Sequence, residues 1–148
     1  MTGEFKISVL ASGSKGNATM ISAGSKNFLI DAGISCRQLT QRIKEIGMQP
    51  EDLDGVLLTH EHRDHISGLP VFSRKYHLPV FANEPTWRSF PQRSEMERSC
   101  CRLLPKCLET EGLQIENFAV PHDAAGAVGY VVSHAGARCV YLTDVGFI

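Results

Sequence analysis

The segment Thr59-His60-Glu61-His62-Arg63-Asp64-His65 decides how this sequence is interpreted. Five of its last six residues have side chains that bind metal ions, and the arginine is the exception. Alternate side chains of an extended chain face the same way, so His60 and His62 can bind one ion together. Asp64 and His65 follow where the chain bends toward a helix, and a carboxylate with an imidazole can bind a second ion. The segment therefore predicts a centre for two divalent metal ions.

The flanking sequence supports this prediction. Residues 56–59 form a short apolar, β-branched run that predicts a buried strand, and residues 66–76 predict a helix. Ligands placed between such elements are held rigidly at the edge of a sheet. The alternative is a polar loop whose histidines cluster without binding a metal, and three histidines and an aspartate within six residues disfavour it.

Three further polar residues each follow a predicted strand: Asp31, His122 and Asp144. Taken singly, each would be a turn or surface residue. Together with the histidine segment they predict one edge of a sheet sandwich that is lined with candidate ligands.

Strands and helices are mixed along the rest of the chain. Further strands are predicted at residues 5–10, 19–23, 28–30, 78–82, 113–120, 128–133 and 138–142. Helices are predicted at residues 36–46 and 85–90. The first has Ser35 as N-cap and Gly47 at its end, and its apolar face consists of Leu39, Ile43 and Ile46. Residues 91–111, where basic and acidic side chains balance, predict a solvated surface segment. This order predicts an α/β domain in which helices cover sheets.

Composition limits the class of protein. A chain of 148 residues is enough for one domain and too short for two. With 43% apolar residues and a net charge of −1, it has no global positive field that would indicate a nucleic-acid or membrane partner. The sequence shows no signal peptide and no apolar run of the roughly 18 to 20 residues that span a membrane, so we expect a cytoplasmic protein. Its five cysteines include no Cys-x-x-Cys pair, so we expect reduced thiols.

With these residues in view, the chain resembles the metallo-β-lactamase superfamily. Residues 59–69 match the HxHxDH motif, which is specific for that superfamily. The segments at residues 10–17, 29–33, 78–84 and 122–124 resemble one bacterial branch, the YycJ/WalJ-type (VicX-type) hydrolases. The resemblance runs from residue 7 to the last residue, and it implies an αββα sandwich with the metals at one edge of the two sheets.

The resemblance also implies a role for each candidate residue. It assigns the ligands to two sites that share one carboxylate: His60, His62 and His122 for the first, Asp64 and His65 for the second, and Asp144 between them. Asp31 would support the ligands without binding metal. A hydroxide held between the two ions would be the nucleophile, and Asp64 would orient it or accept its proton. Zinc suits the imidazole-rich site, and manganese is the alternative because the second site mixes carboxylate and imidazole.

The chain departs from the branch's pattern in two places. Arg63 replaces a small serine, and it either adds a cation that favours a phosphate or pairs with a nearby acid. The pattern also continues beyond Asp144 to one more histidine ligand, which neither His77 nor His134 matches. We therefore expect residues 1–148 to be the N-terminal part, roughly half, of a single metallo-β-lactamase domain. Such a part would need an oligomer or the missing half to complete its fold.

The resemblance implies a nuclease, because the branch is associated with 5′-to-3′ exonuclease action on DNA. A pair of cations suits phosphodiester hydrolysis, since it neutralises charge on the attacking and leaving oxygens. The loop at residues 12–17 could offer N–H groups and Lys15 to a phosphate, or it could be a tight turn beside the site. The alternatives are a small-molecule ester, thioester or lactone hydrolase and an inactive metal-binding fragment. A broad basic groove would favour the nuclease, and the sequence offers only a weak candidate, offset by acids: Arg88, Arg93, Arg98, Arg102 and Lys106.

Overall fold

The computed structural model describes residues 5–13, 15–120 and 126–141. The strands in these ranges, numbered in chain order, are β1 (Phe5–Ala11), β2 (Ala18–Ala23), β3 (Lys26–Ile30), β4 (Gly55–Leu57), β5 (Val80–Ala82), β6 (Cys101–Leu103), β7 (Cys107–Thr110), β8 (Leu113–Ala119), β9 (Val128–His134) and β10 (Ala137–Tyr141). The α-helices of the same ranges are α1 (Cys36–Glu45), α2 (Arg63–Ile66), α3 (Leu69–Tyr76) and α4 (Glu84–Ser89). Short 3₁₀ turns lie at Pro50–Asp52, Arg93–Glu95 and Arg98–Cys100.

The strands form two sheets. Strands β1 to β6 lie in sequence order in a six-stranded sheet, whereas the four-stranded sheet has the order β10-β9-β8-β7. Pairing is antiparallel from β1 to β3 and parallel from β3 to β6, and it is antiparallel throughout the second sheet. The four helices occur in the crossovers between the parallel strands, as parallel pairing requires.

The inner strands of the six-stranded sheet, β2 to β5, are mostly buried on both faces. In β4, Val56 packs in a core with Leu39 of α1 and Phe72 of α3. The next residue, Leu57, points the other way and packs with Tyr130 of the second sheet. Strands buried on both faces are apolar throughout, which is why the run at residues 56–59 shows no polar alternation. The described residues thus form one helical layer and both sheet layers of the predicted αββα sandwich.

Helix α1 forms as its sequence predicts. The Ser35 hydroxyl accepts a hydrogen bond from the Gln38 N–H at 3.1 Å, and the Gln38 side chain contacts the Ser35 N–H in return. Leu39 and Ile43, one turn apart, are both buried. Such a capping box typically contributes about 1 kcal/mol, and it fixes where the chain turns after β3.

The single helix predicted at residues 66–76 is wrong, because the chain forms two helices separated at Gly68. The Gly68 N–H donates to the Ala32 carbonyl at 3.0 Å. A Cβ at Gly68 would lie 1.7 Å from the carbonyl oxygen of Ile34, so only glycine allows this approach. A contact with the segment after β3 therefore interrupts the helix, and it holds α2 against the end of that strand.

The prediction that residues 91–111 form only a solvated segment is also wrong. This stretch supplies β6, which pairs in parallel with β5, and β7 of the second sheet. Met96 and Cys100 are buried, and the indole N–H of Trp87 donates to the Arg102 carbonyl at 2.7 Å. The balanced charges of this stretch therefore did not indicate β6, a short strand at the edge of the six-stranded sheet.

The other predicted elements differ from the observed ones by at most two residues at either end. Among the described residues, the helices lack the length and apolar character that crossing a bilayer demands.

Candidate metal centre

Three histidine rings lie together beyond the end of β4. The ring centroids of His60 and His62 are 4.6 Å apart, and those of His60 and His65 are 4.1 Å apart. His62 is extended and forms the N-cap of α2, whose first turn contains Asp64. His60 and His65 are almost wholly buried, at 1% and 0% exposure. The bend from strand to helix therefore brings candidate ligands of both predicted sites into one cluster.

Asp31 lies beneath this cluster and is itself wholly buried. Its backbone is in the left-handed region at φ 65°, which turns the chain sharply at the end of β3. Its carboxylate accepts hydrogen bonds from Nδ1 of His65 at 2.6 Å, from the Thr59 N–H at 2.8 Å and from the Thr59 hydroxyl at 2.7 Å. Burial raises the pKa of Asp31 above its ordinary value, and the donors from His65 and Thr59 offset that rise only in part.

This carboxylate fixes the ring nitrogens of two histidines. Because Nδ1 of His65 donates to Asp31, Nε2 carries the lone pair of that ring. The Thr59 hydroxyl gives its proton to Asp31, so its oxygen accepts from Nδ1 of His60 at 2.9 Å. His60 then also carries its lone pair on Nε2. A histidine that binds metal typically donates its other nitrogen in this way, so the observed network fits a metal centre.

A second pair of donor atoms comes from Asp64 and His65. The Asp64 Oδ2 lies 3.6 Å from Nε2 of His65, and the Asp64 side chain is 28% exposed. The side-chain N–H₂ of Asn17 lies 3.3 Å from each of these two atoms. One amide therefore holds the two predicted ligands of the second site next to each other.

Asn17 is a site residue that the sequence reasoning missed. Its backbone N–H donates to the Asp64 carbonyl at 2.8 Å, and its side chain exchanges hydrogen bonds with the backbone of Gly13 at 3.2 and 3.0 Å. The described residues of the loop at 12–17 thus form a tight turn that is attached to the histidine segment. The only sequence signal was the position of Asn17 after Gly16 in a turn-rich loop.

The structure brings together four of the six predicted ligands, namely His60, His62, Asp64 and His65. His122 and Asp144 lie outside the described residues. Within the described ranges, no group of three or more His, Cys, Asp or Glu side chains has by itself the arrangement needed to hold a metal ion. The donor set of imidazoles and a carboxylate, oriented by Asp31, fits a divalent cation that takes further ligands from elsewhere.

Replacing Asn17 with alanine tests whether its amide organises the donor atoms. We expect the affinity for Mn²⁺ or Zn²⁺ to fall by roughly tenfold or more, because the amide also donates to the Asp64 backbone carbonyl at 3.2 Å and to the Gly13 carbonyl, and partners that orient ligands typically contribute 10- to 100-fold to metal affinity. Its contacts with Oδ2 of Asp64 and Nε2 of His65 would give way to a bound ion. Titration calorimetry and competition with a chelator measure this change. Asn117→Ala is the matched control, since among the described residues the Asn117 amide bonds the exposed carbonyls of Pro105 and Lys106. Equal affinities for wild type and Asn17→Ala would contradict the assignment.

Comparison with known proteins gives a family match and similar relatives. Residues 11–148 match the model of the Metallo-beta-lactamase superfamily. The chain is 38% identical over 149 residues to exodeoxyribonuclease WalJ of Streptococcus pneumoniae strain D39, covering 97% of this chain and 55% of that protein. It is 37% identical over 144 residues to exodeoxyribonuclease YycJ of Bacillus anthracis, covering 95% and 54%. The chain thus spans about half the length of the curated relatives it matches.

Solved structures show the same fold at low sequence identity. The subclass B3 metallo-beta-lactamase MEM-A1, from a soil metagenome library, superposes with a TM-score of 0.71 at 21% identity, covering 94% of this chain and 59% of that one. The metallo-beta-lactamase fold protein YhfI from Bacillus subtilis gives a TM-score of 0.73 at 16% identity, covering 95% and 63%. These likenesses support the architecture alone.

Proposed function

Because the chain belongs to the metallo-beta-lactamase superfamily, we propose that it is a metal-dependent hydrolase of phosphodiester bonds in DNA, acting as an exonuclease of YycJ/WalJ type. The observation that carries the proposal is the cluster of His60, His62, Asp64 and His65 at the sheet edge, oriented by buried Asp31. Similarity to two exodeoxyribonucleases over nearly the whole chain supports the choice of substrate.

The proposed ligands divide between two cations. His60, His62 and His122 would hold the first, Asp64 and His65 would hold the second, and Asp144 would lie between them. Zinc is the first choice, and manganese is the alternative. When bound, such ions lower the pKa of water toward about 7 and neutralise charge on phosphate oxygens.

The chain's own residues perform three tasks around this centre. Asp31 keeps the His65 and His60 lone pairs on Nε2, so both rings are ready to bind without a change of tautomer. Asn17 keeps Oδ2 of Asp64 next to Nε2 of His65. The Asp64 carboxylate, which is partly exposed while His65 is enclosed, is placed to receive a proton from the attacking water.

Hydrolysis of end-labelled DNA tests the proposal. The 148-residue chain is incubated with Zn²⁺ or Mn²⁺ and linear DNA labelled at either end, and in parallel with a thioester and a lactone. We expect metal-dependent loss of nucleotides from one end of the DNA. His62→Ala should lower the rate by at least about 100-fold, because loss of a ligand should exceed the 10- to 100-fold effect of its supporting residues.

The control for this experiment is His77→Asn. His77 is exposed, contacts Glu97 rather than the cluster, and has a left-handed backbone that asparagine tolerates. The His77→Asn variant should hydrolyse DNA at the wild-type rate. Turnover of a thioester or lactone without any cleavage of DNA would favour the small-molecule alternative. Metal binding without turnover of any substrate would favour an inactive metal-binding chain.

A further inference from the structure

Three depressions that share lining residues extend from the histidine segment across the helical layer. The first, about 250 Å³ in volume, is lined by Glu61 and Arg63 of the segment and by Ser67. The second, about 550 Å³, shares Ser67 with the first and extends to Arg37 and Lys75. A third depression of about 470 Å³ shares Arg37 with the second. We call these three joined depressions the helical groove.

Four exposed cations line the helical groove, against two carboxylates, Glu61 and Glu45: Arg37, Lys44, Arg63 and Lys75. Within the described ranges, none of the four forms an ion pair with a carboxylate. The prediction that Arg63 pairs with a nearby acid is therefore not realised among those residues. Their charges stay available to an anion.

Other cations on the helical side are used within the protein. The Arg88 guanidinium lies 3.9 Å from the Glu84 carboxylate, and Arg74 donates to the Glu95 carbonyl at 2.8 Å. Arg42 donates to the carbonyl of Leu10. Among the described residues, no carboxylate or carbonyl oxygen binds the four cations of the helical groove. Lys75 lies over the ring of Tyr76, with Nζ 5.4 Å from the ring centroid.

The groove has a direction set by α1. Arg37 and Lys44 are seven residues apart, which places them on one face of the helix two turns from each other. Lys75 lies on α3 and faces the second depression with Val71, which is 47% exposed. A single strand of nucleic acid is flexible and carries one phosphate per nucleotide, with sugars and bases between the phosphates. Cations spaced along a channel can bind the phosphates, and the apolar atoms of its wall can contact the bases and sugars.

We propose that the helical groove binds a single strand of nucleic acid and leads it to the histidine segment. Arg63 contacts the phosphate nearest the cleaved bond, and Arg37, Lys75 and Lys44 contact phosphates progressively further away. This inference rests on the proposed function for its substrate class. It differs from the sequence-based candidate among residues 88–106, whose five cations line none of the three depressions.

Binding of a fluorescent oligothymidylate, measured by anisotropy in the presence of a chelator, tests the proposal without involving the metals. The test variant is Arg37→Ala with Lys75→Ala. The control is Arg88→Ala with Lys106→Ala, which removes the same two residue types from exposed positions outside the groove. We expect the test variant to bind at least about tenfold more weakly and its salt slope to fall by roughly 0.7 for each phosphate that is no longer neutralised. The control should bind like wild type.

Three results would overturn the proposal: no binding of oligothymidylate by wild type, equal weakening in both double variants, or equal displacement of the oligonucleotide by polyglutamate. Circular dichroism melts of both variants show whether weaker binding comes from unfolding, and Arg37→Lys with Lys75→Arg, which keeps both charges, should bind like wild type. Hydrolysis of bis(4-nitrophenyl) phosphate by wild type with Mn²⁺ is measured separately. Turnover of bis(4-nitrophenyl) phosphate without oligothymidylate binding would contradict the proposed role of the helical groove and would still support the proposed function.

Discussion

Asp31→Ala should destabilise the protein by about 3 to 5 kcal/mol and weaken divalent metal binding by roughly 10- to 100-fold. The stability loss follows because removing one partner of a buried, hydrogen-bonded charge leaves the others without compensation. The groups that lose the Asp31 carboxylate as their hydrogen-bond acceptor are Nδ1 of His65 and the N–H and hydroxyl of Thr59. The metal effect follows because His65 loses the hydrogen bond that holds its lone pair on Nε2, and the Thr59 hydroxyl, which accepts from Nδ1 of His60, loses the acceptor that orients it.

Urea denaturation and metal titration measure the two effects of this substitution. Asp54→Ala is the control, since Asp54 is a partly exposed aspartate that accepts from the Asn27 N–H far from the histidines. It should lower stability by about 1 kcal/mol and leave metal affinity unchanged. If Asp31→Ala lost stability but bound Zn²⁺ or Mn²⁺ as tightly as wild type, Asp31 would be a core residue with no role in the centre.

Gly33→Ala should lower stability and metal affinity about as much as Asp31→Ala, and it should do so through a steric clash alone. A Cβ at Gly33 would lie 1.9 Å from the carbonyl oxygen of Asp64 and 2.7 Å from the backbone nitrogen of Asn17. Both are backbone atoms, and they hydrogen bond to each other at 2.8 Å, so neither can move aside as a side chain would. We expect a loss of about 3 kcal/mol or more, together with displacement of Asp64 and hence weaker metal binding.

Gly47→Ala provides the comparison for this second prediction. Gly47 has a φ of +83° and open space around its Cβ position, so alanine there suffers backbone strain of about 1 to 2 kcal/mol and no clash. Thermal or urea unfolding of both variants separates the two causes. A Gly33→Ala variant as stable as Gly47→Ala would show that the turn holding Asp64 is looser than its contacts indicate.

The sequence predicts those features that depend on neighbours along the chain. The capping of α1 by Ser35 and the burial of Leu39 and Ile43 depend on residues three or four apart, and they are confirmed. Ile46, predicted on the same face, lies past the end of the helix and is 40% exposed. The clustering of His60, His62 and His65 follows from the same local geometry. Local pattern was sufficient because each of these features is a property of one strand, one loop or one helix.

Features that depend on distant backbone could not be predicted in this way. The break at Gly68 exists because the Ile34 carbonyl approaches it from the segment after β3. Asn17 acquires its role only because the first loop folds against a segment 47 residues later in the chain. The ligand roles of all six residues are predictions, and two of the six, His122 and Asp144, lie outside the described part of the chain.

Metal content shows whether the segment from His60 to His65 binds divalent metal ions. The purified chain is incubated with Zn²⁺ or Mn²⁺, dialysed and subjected to elemental analysis beside a His60→Ala/His62→Ala variant, with His77→Asn as control. We predict up to two ions per chain for wild type and the control, and at least one ion fewer for the double variant. The same metal content in the double variant and wild type, or no metal in either, would contradict the claim.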